Sequence, residues 1–385
     1  MLREKRKIEK PLIDKQGYEY EVWRRPKVFL WVVICYLSLL VLFIGLRILA
    51  GAVHGLVPDW VMDVGFSVIS QILIMAAIPL IVIFIFNKRT NKDNLAHTPS
   101  ALSGSHPSTL EGSSFLLPSF GFNKPGWRVI GWAIALGFLC FFFNIFVSGF
   151  FNGILATTGF RFPQGGGGAF STMGVTGFLI TLLLVGVLPG IMEEISHRGM
   201  LMNGLAPKFG VAKAVLFSSI IFGLMHLNIV QMFYAAVLGY IIAWAVLATR
   251  SLWTGIIIHF INNGFGVYLS FAGDNGWFLG GLFDWIVGTN PLLFMAFLVI
   301  VYLLIRQIIL FFAKENFDKK WKDSESYATW IQTSKRFGPW GQIKFYIDPV
   351  REKPTPLSIT EKTVFGGILF LGTLVTVFTL VWGLL

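Results

Sequence analysis

Long apolar runs separated by short polar stretches organise this chain. A helix crossing a bilayer needs roughly 17–25 mainly apolar residues. Nine segments meet that pattern: 28–50, 64–86, 128–151, 176–203, 212–227, 231–249, 253–272, 291–312 and 363–384. The expected fold class is therefore all-α, a polytopic transmembrane helix bundle of about nine spanning helices. Segments 212–227 and 231–249 are short and separated only by Leu227–Val230, which makes their boundary the least defined. Gly276–Val287 has the pattern of an additional interfacial helix.

The polar stretches divide the chain into blocks. A basic N-terminus occupies 1–27, and three helices follow within 28–151 around a Ser/Pro/Gly-rich linker at 87–127, expected to be flexible. A core of four helices spans 176–272, preceded by an outer loop at Pro163–Gly168. Two helices in 291–385 flank a charged, Trp- and Tyr-containing segment at 313–362, expected to lie on the inner leaflet. The apolar run after the basic N-terminus exceeds the roughly 7–15 residues of a signal peptide, so it is expected to anchor the chain. No internal repeat or inverted pair of broken helices is visible, which argues against a secondary transporter.

Composition agrees with the pattern. The chain is 55% hydrophobic and only 13% charged. Soluble domains carry about 25% charged residues, so an ordinary soluble enzyme is excluded. Disorder is excluded as well, because it requires low hydrophobicity and high charge. A net charge of +11 raises the question of nucleic acid, but cytoplasmic loops of membrane proteins hold excess Lys and Arg. With the N-terminus inside, 28 of the 31 Lys and Arg residues fall on the cytoplasmic side. Arg47 and Arg161 fall near the outer side, and Arg198 lies within a helix. The expected orientation is N-in, C-out, in a multi-pass cell membrane protein, the compact chain suggesting a bacterial plasma membrane; no nucleic-acid partner is expected. Cys35 and Cys140 sit in apolar runs and read as small buried hydrophobes.

Ionisable residues at membrane depth cost at least ~2.5–3.5 kcal/mol each on insertion scales, so their positions are informative. The fourth segment contains Glu193, Glu194, His197 and Arg198 just after Pro189-Gly190. Glu194 and Arg198 are i,i+4 and can pair on one helix face. Glu193 projects about 100° away and can face something else. The fifth segment adds His226, with Phe222 one turn earlier and able to pack on the imidazole. The seventh adds His259 and Asn263, again i,i+4, with Asn262 a second-rank candidate. Structural readings exist for each: an ion-paired packing triad, a satisfied core histidine, interhelical hydrogen bonds. Together, carboxylate, imidazoles and amide suit activation of water, with a carboxylate as general base and the other groups orienting the water or stabilising an oxyanion. The same groups offer a metal the donors Glu193, His226 and His259, so a divalent ion such as zinc, or no cofactor, fits the pattern.

Glu193-Glu194-x-x-x-Arg198, Phe222-x-x-x-His226 and His259-x-x-x-Asn263, in this order on hydrophobic segments, resemble the three-motif signature of the CAAX-protease and bacteriocin-processing (CPBP, or Abi) family. These are intramembrane endopeptidases related to the type II CAAX prenyl proteases. The resemblance covers roughly 176–272. It implies that Glu193 activates water, that His226 helps to polarise it, that His259 and Asn263 form the oxyanion site, and that Glu194 and Arg198 support the site with Phe222. His197 stands where the family often has an aromatic residue and is read as filling that space in preference to adding a third imidazole. The implied substrate is a small hydrophobic peptide or a lipid-anchored protein tail at the bilayer. Other intramembrane protease signatures, His-Glu-x-x-His and Gly-x-Gly-Asp, are absent. The competing readings are a non-catalytic immunity or scaffold protein retaining the fold, and a proton-coupled transporter.

Overall fold

The structure, a computed structural model, describes residues 27–82, 84–85, 121–162, 170–282, 285, 291–348 and 354–385. The basic N-terminus, most of the 87–127 linker and the Pro163–Gly168 loop lie outside the described residues. Among the described residues there are eleven helices and no strand. They are α1 (Val28–Val53), α2 (Asp59–Val82), α3 (Trp127–Thr157), α4 (Gly174–Phe209), α5 (Val211–Leu224), α6 (Ile229–Thr249), α7 (Leu252–Asn275), α8 (Pro291–Trp321), α9 (Tyr327–Ser334), α10 (Pro339–Ile347) and α11 (Ile359–Leu384). Helix is the expected outcome in hydrocarbon, where every backbone polar group must be satisfied within its own segment.

Eight of these helices are long and apolar enough to cross a membrane, not nine. The exception is α5. At 1.5 Å per residue its 14 residues reach only about 21 Å, short of the ~30 Å hydrocarbon core. The chain nevertheless runs the length of its neighbour α11. Phe217 stacks edge-on with Phe365, Leu224 covers Gly372, and the Ile229 N–H donates to Thr379 Oγ1. Residues 225–228 continue along α11 in non-helical form, with Leu227 at φ 51° and Asn228 capping α6 through Val230 N–H. The cause is close packing. A Cβ on Gly223 would lie 2.5 Å from the Met232 carbonyl oxygen, so α5 and α6 meet almost backbone to backbone and the turn between them is tight. The proposed interfacial helix after α7 is not formed over 276–281, where Gly276 takes a left-handed φ of 65° and turns follow; most of 283–290 lies outside the described residues.

Ring contacts define the two ends of the bundle. Phe29 of α1 meets Phe209 at the end of α4, and Phe209 meets Phe365 at the start of α11. At the other end the Arg161 N–H donates to the Gly383 carbonyl. Val28 and Leu384 therefore lie at opposite ends. Within the 313–362 segment, α9 and α10 fold back on α8, burying Ile343, Phe345 and Tyr346 around Phe317. If the basic end is cytoplasmic, a cysteine at Glu325 labels with an impermeant maleimide only in permeabilised cells, whereas one at Arg161 labels in intact cells. Labelling in the reverse order overturns the orientation. Cys35 and Cys140 are buried, so background reaction is low.

Candidate active site

The site is built on α4, whose regular winding is interrupted twice. Leu182–Val187 and Ile195–Met202 are π-helical, on either side of the α-helical turns Leu188–Glu194. Such stretches recur at functional positions. Pro189 explains part of the first. It has no N–H to return to the carbonyl four residues earlier, Val185. That carbonyl instead accepts from Asn263 Nδ2 at 3.1 Å.

Glu194 and Arg198 pair side by side at 2.6 Å, both essentially inaccessible. Glu194 Oε1 also accepts from His259 Nδ1 at 2.9 Å, while Arg198 Nη2 donates to the Gly239 carbonyl at 3.1 Å. An ionised carboxylate only accepts, so the proton on this side of His259 is on Nδ1 and Nε2 is turned the other way. Nε2 lies 3.9 Å from Glu193 Oε2. Glu193 thus points away from its neighbour, as one-residue helical rotation requires, and is 12% exposed where Glu194 is 0%.

Phe222 is 1% exposed and packs edge-on with three imidazoles: His197 at 4.8 Å, His226 at 5.2 Å and His259 at 5.8 Å between centroids. The Arg198 guanidinium lies 4.5 Å from the same ring. His226, just beyond the end of α5, places Nδ1 2.9 Å from the Phe222 carbonyl, and that carbonyl can only accept. The ring therefore keeps Nε2 for other partners. His197 uses Nδ1 in the same way on the Glu193 carbonyl, 3.0 Å away, and packs between Tyr36 and Phe222. It occupies aromatic space, and it also lines the cavity described next.

Glu193, His197, Phe222 and His226 line a cavity of about 130 Å³ with Gln71, Arg47 and Gln231. That volume holds several waters, and the polar lining supplies partners for them. Asn263 is not part of this lining; besides Val185 its side chain takes a hydrogen bond from Asn262, which in turn accepts from Asn144 of α3. His259 reaches the cavity region through its contact with Glu193. Among the described residues no three His, Cys, Asp or Glu side chains converge as a metal ion requires.

Three polar lining residues, Gln71, Arg47 and Gln231, escaped the sequence reading. Gln71 of α2 donates from Nε2 to Glu193 Oε1 at 2.8 Å. Arg47 of α1 is exposed, but its guanidinium sits 4.5 Å from the Phe66 centroid at the cavity. The available signal was the one used elsewhere: a lone polar side chain within an apolar run.

Gly255 of α7 shows how closely the ion-paired layer is packed. A Cβ there would lie 2.7 Å from both Glu194 Oε2 and Val246 Cγ2. Since Arg198 and His259 hold Glu194 in place, Gly255→Ala is expected to destabilise the protein by about 1–3 kcal/mol and to lower activity, measured as the unfolding midpoint in detergent and as turnover. An unchanged midpoint would show that α6 and α7 can separate freely.

No curated protein and no solved structure matched the chain. A family model did: residues 175–265 match type II CAAX prenyl endopeptidase Rce1-like proteins. The match begins at the start of α4 and ends just past Asn263, enclosing Glu193, His226 and His259 with the helices that carry them. The chain is a multi-pass membrane protein whose segment 175–265 is similar to the Rce1-like type II CAAX prenyl endopeptidases, a family of peptidases.

Proposed function

We propose that this protein is an intramembrane endopeptidase that hydrolyses a peptide bond in a small hydrophobic peptide or a membrane-associated protein tail, using water activated by Glu193. The observation that carries this reading is the meeting of Glu193 and His226 on one small polar cavity, with His259 against Glu193, inside an otherwise apolar bundle. Chains avoid such groups at membrane depth unless they serve a purpose.

In this reading, Glu193 Oε2 takes a proton from a water in the cavity as the water oxygen bonds to the substrate carbonyl carbon. His226 orients that water through Nε2. His259, held at Nδ1 by Glu194, presents Nε2 to the reacting carbonyl. Glu193 then returns the proton to the leaving nitrogen as the C–N bond breaks. Asn263 contributes by holding the Val185 carbonyl at the Pro189 kink, which fixes the helix that presents Glu193.

The test compares peptides released from membranes containing wild-type protein with those from membranes containing Glu193→Gln. Peptides that appear only with the wild type are the expected result. Identical peptide sets from both membranes overturn the reading and favour a non-catalytic immunity or scaffold role.

A further inference from the structure

Gln71 lies in α2, far outside the segment shared with the peptidase family, yet it makes a direct side-chain contact to Glu193. It sits in the π-helical stretch Val68–Ala77, which packs against the Leu188–Glu194 turns of α4. A carboxylate oxygen can only accept, so the amide must present its NH2 to Glu193. Its carbonyl oxygen is therefore turned away, and Gln71 Oε1 is buried with no hydrogen-bond partner. A buried acceptor without a partner is costly. An aliphatic side chain at this position would avoid that cost; beyond the buried neighbour Ser70, the nearby residues Ile69, Ile72 and Leu73 are aliphatic.

We propose that Gln71 is a positioning residue for Glu193. By occupying Oε1, its amide leaves Oε2 as the free oxygen of the carboxylate. Oε2 is the one beside His259 Nε2, at 3.9 Å. The Gln71 bond thus selects both the rotamer of Glu193 and the oxygen that receives the proton of the attacking water. It makes α2 part of the working site, so the family-matched helices alone do not complete it. This inference rests on the peptidase reading above.

The test uses the full chain in lipid nanodiscs with a library of hydrophobic peptides, cleavage being read by mass spectrometry. Gln71→Leu is expected to lower kcat roughly tenfold to hundredfold, as misplacement of a reacting group does, with KM within about twofold. Its thermal midpoint is expected to equal or exceed that of the wild type, because the unpartnered oxygen is gone. Gln71→Met, which retains length without a donor, should behave alike. In the Glu193→Gln background, Gln71→Leu should have no further effect on the residual rate, because the two residues act as one unit.

Each outcome decides something different. Absence of any Glu193-dependent cleavage by the wild type overturns the peptidase reading, and the role of Gln71 with it. Glu193-dependent cleavage that survives in Gln71→Leu overturns the positioning role alone. So does a loss of kcat that only follows a fall in the midpoint, or a full additional loss in the Glu193→Gln background; each would make Gln71 a packing residue.

Discussion

Glu193→Gln is expected to reduce peptide hydrolysis to a small residual rate while leaving the fold intact. General-base catalysis contributes roughly 10²–10⁴-fold, and an amide cannot take the proton. The substitution preserves shape, and its surroundings can adapt. Gln71 Oε1 is buried without a partner, so a flip of the Gln71 amide would offer that oxygen to the new amide N–H. The nearby ion pair is untouched, since Arg198 and His259 Nδ1 both bind Glu194 and not Glu193. The measurement is turnover against thermal midpoint in the same preparation. Full turnover in the variant would remove Glu193 from the chemistry and with it the proposed mechanism.

Arg198→Met is expected to cause the largest loss of stability, about 3–5 kcal/mol. Arg198 neutralises a carboxylate that is 0% exposed, bonds the Gly239 carbonyl on α6 and lies over Phe222. Its removal leaves Glu194 with His259 as its sole hydrogen-bond partner at Oε1 and leaves Oε2 without one, as it already is. The desolvation of an under-compensated charge, more than the lost attraction, sets the magnitude. The double variant Glu194→Gln with Arg198→Met should recover much of the stability, because an apolar and amide pair carries no buried charge. Unfolding in mixed micelles reads both. Equal stability of Arg198→Met and wild type would mean that water reaches Glu194, contrary to its complete burial.

The helix pattern was readable almost throughout, because hydrocarbon allows little besides helix and the length of an apolar run reports a crossing. The reading failed at α5. Apolarity continues through Leu227, and hydrophobicity alone does not distinguish a helical residue from a turn residue in a buried segment. Gly223 against Met232 ended the helix at Leu224, and that contact is set by tertiary packing. This also explains how His226 meets Glu193: it leaves the helix near the site instead of continuing along a regular rod.

The pairing of Glu194 with Arg198, the divergence of Glu193 and the packing of Phe222 on His226 all followed from helical spacing within a few residues. Asn263 did not follow in the same way. Its spacing placed it on the face of His259, but Pro189 on another helix leaves a carbonyl at Val185 that occupies its amide.

The sequence by itself determined a membrane bundle, the helices that carry ionisable groups and the local pairs within them, because helix periodicity and the cost of charge in hydrocarbon act over a few residues. The tertiary structure alone decided which side chains from distant helices complete the site. Gln71 lies 122 positions from Glu193, and Arg47 shares a cavity with residues from α2, α4 and α6. Such contacts depend on which helices become neighbours, and in a bilayer that choice is made by close packing of small residues such as Gly223, Gly239 and Gly255, whose effect no single segment reveals.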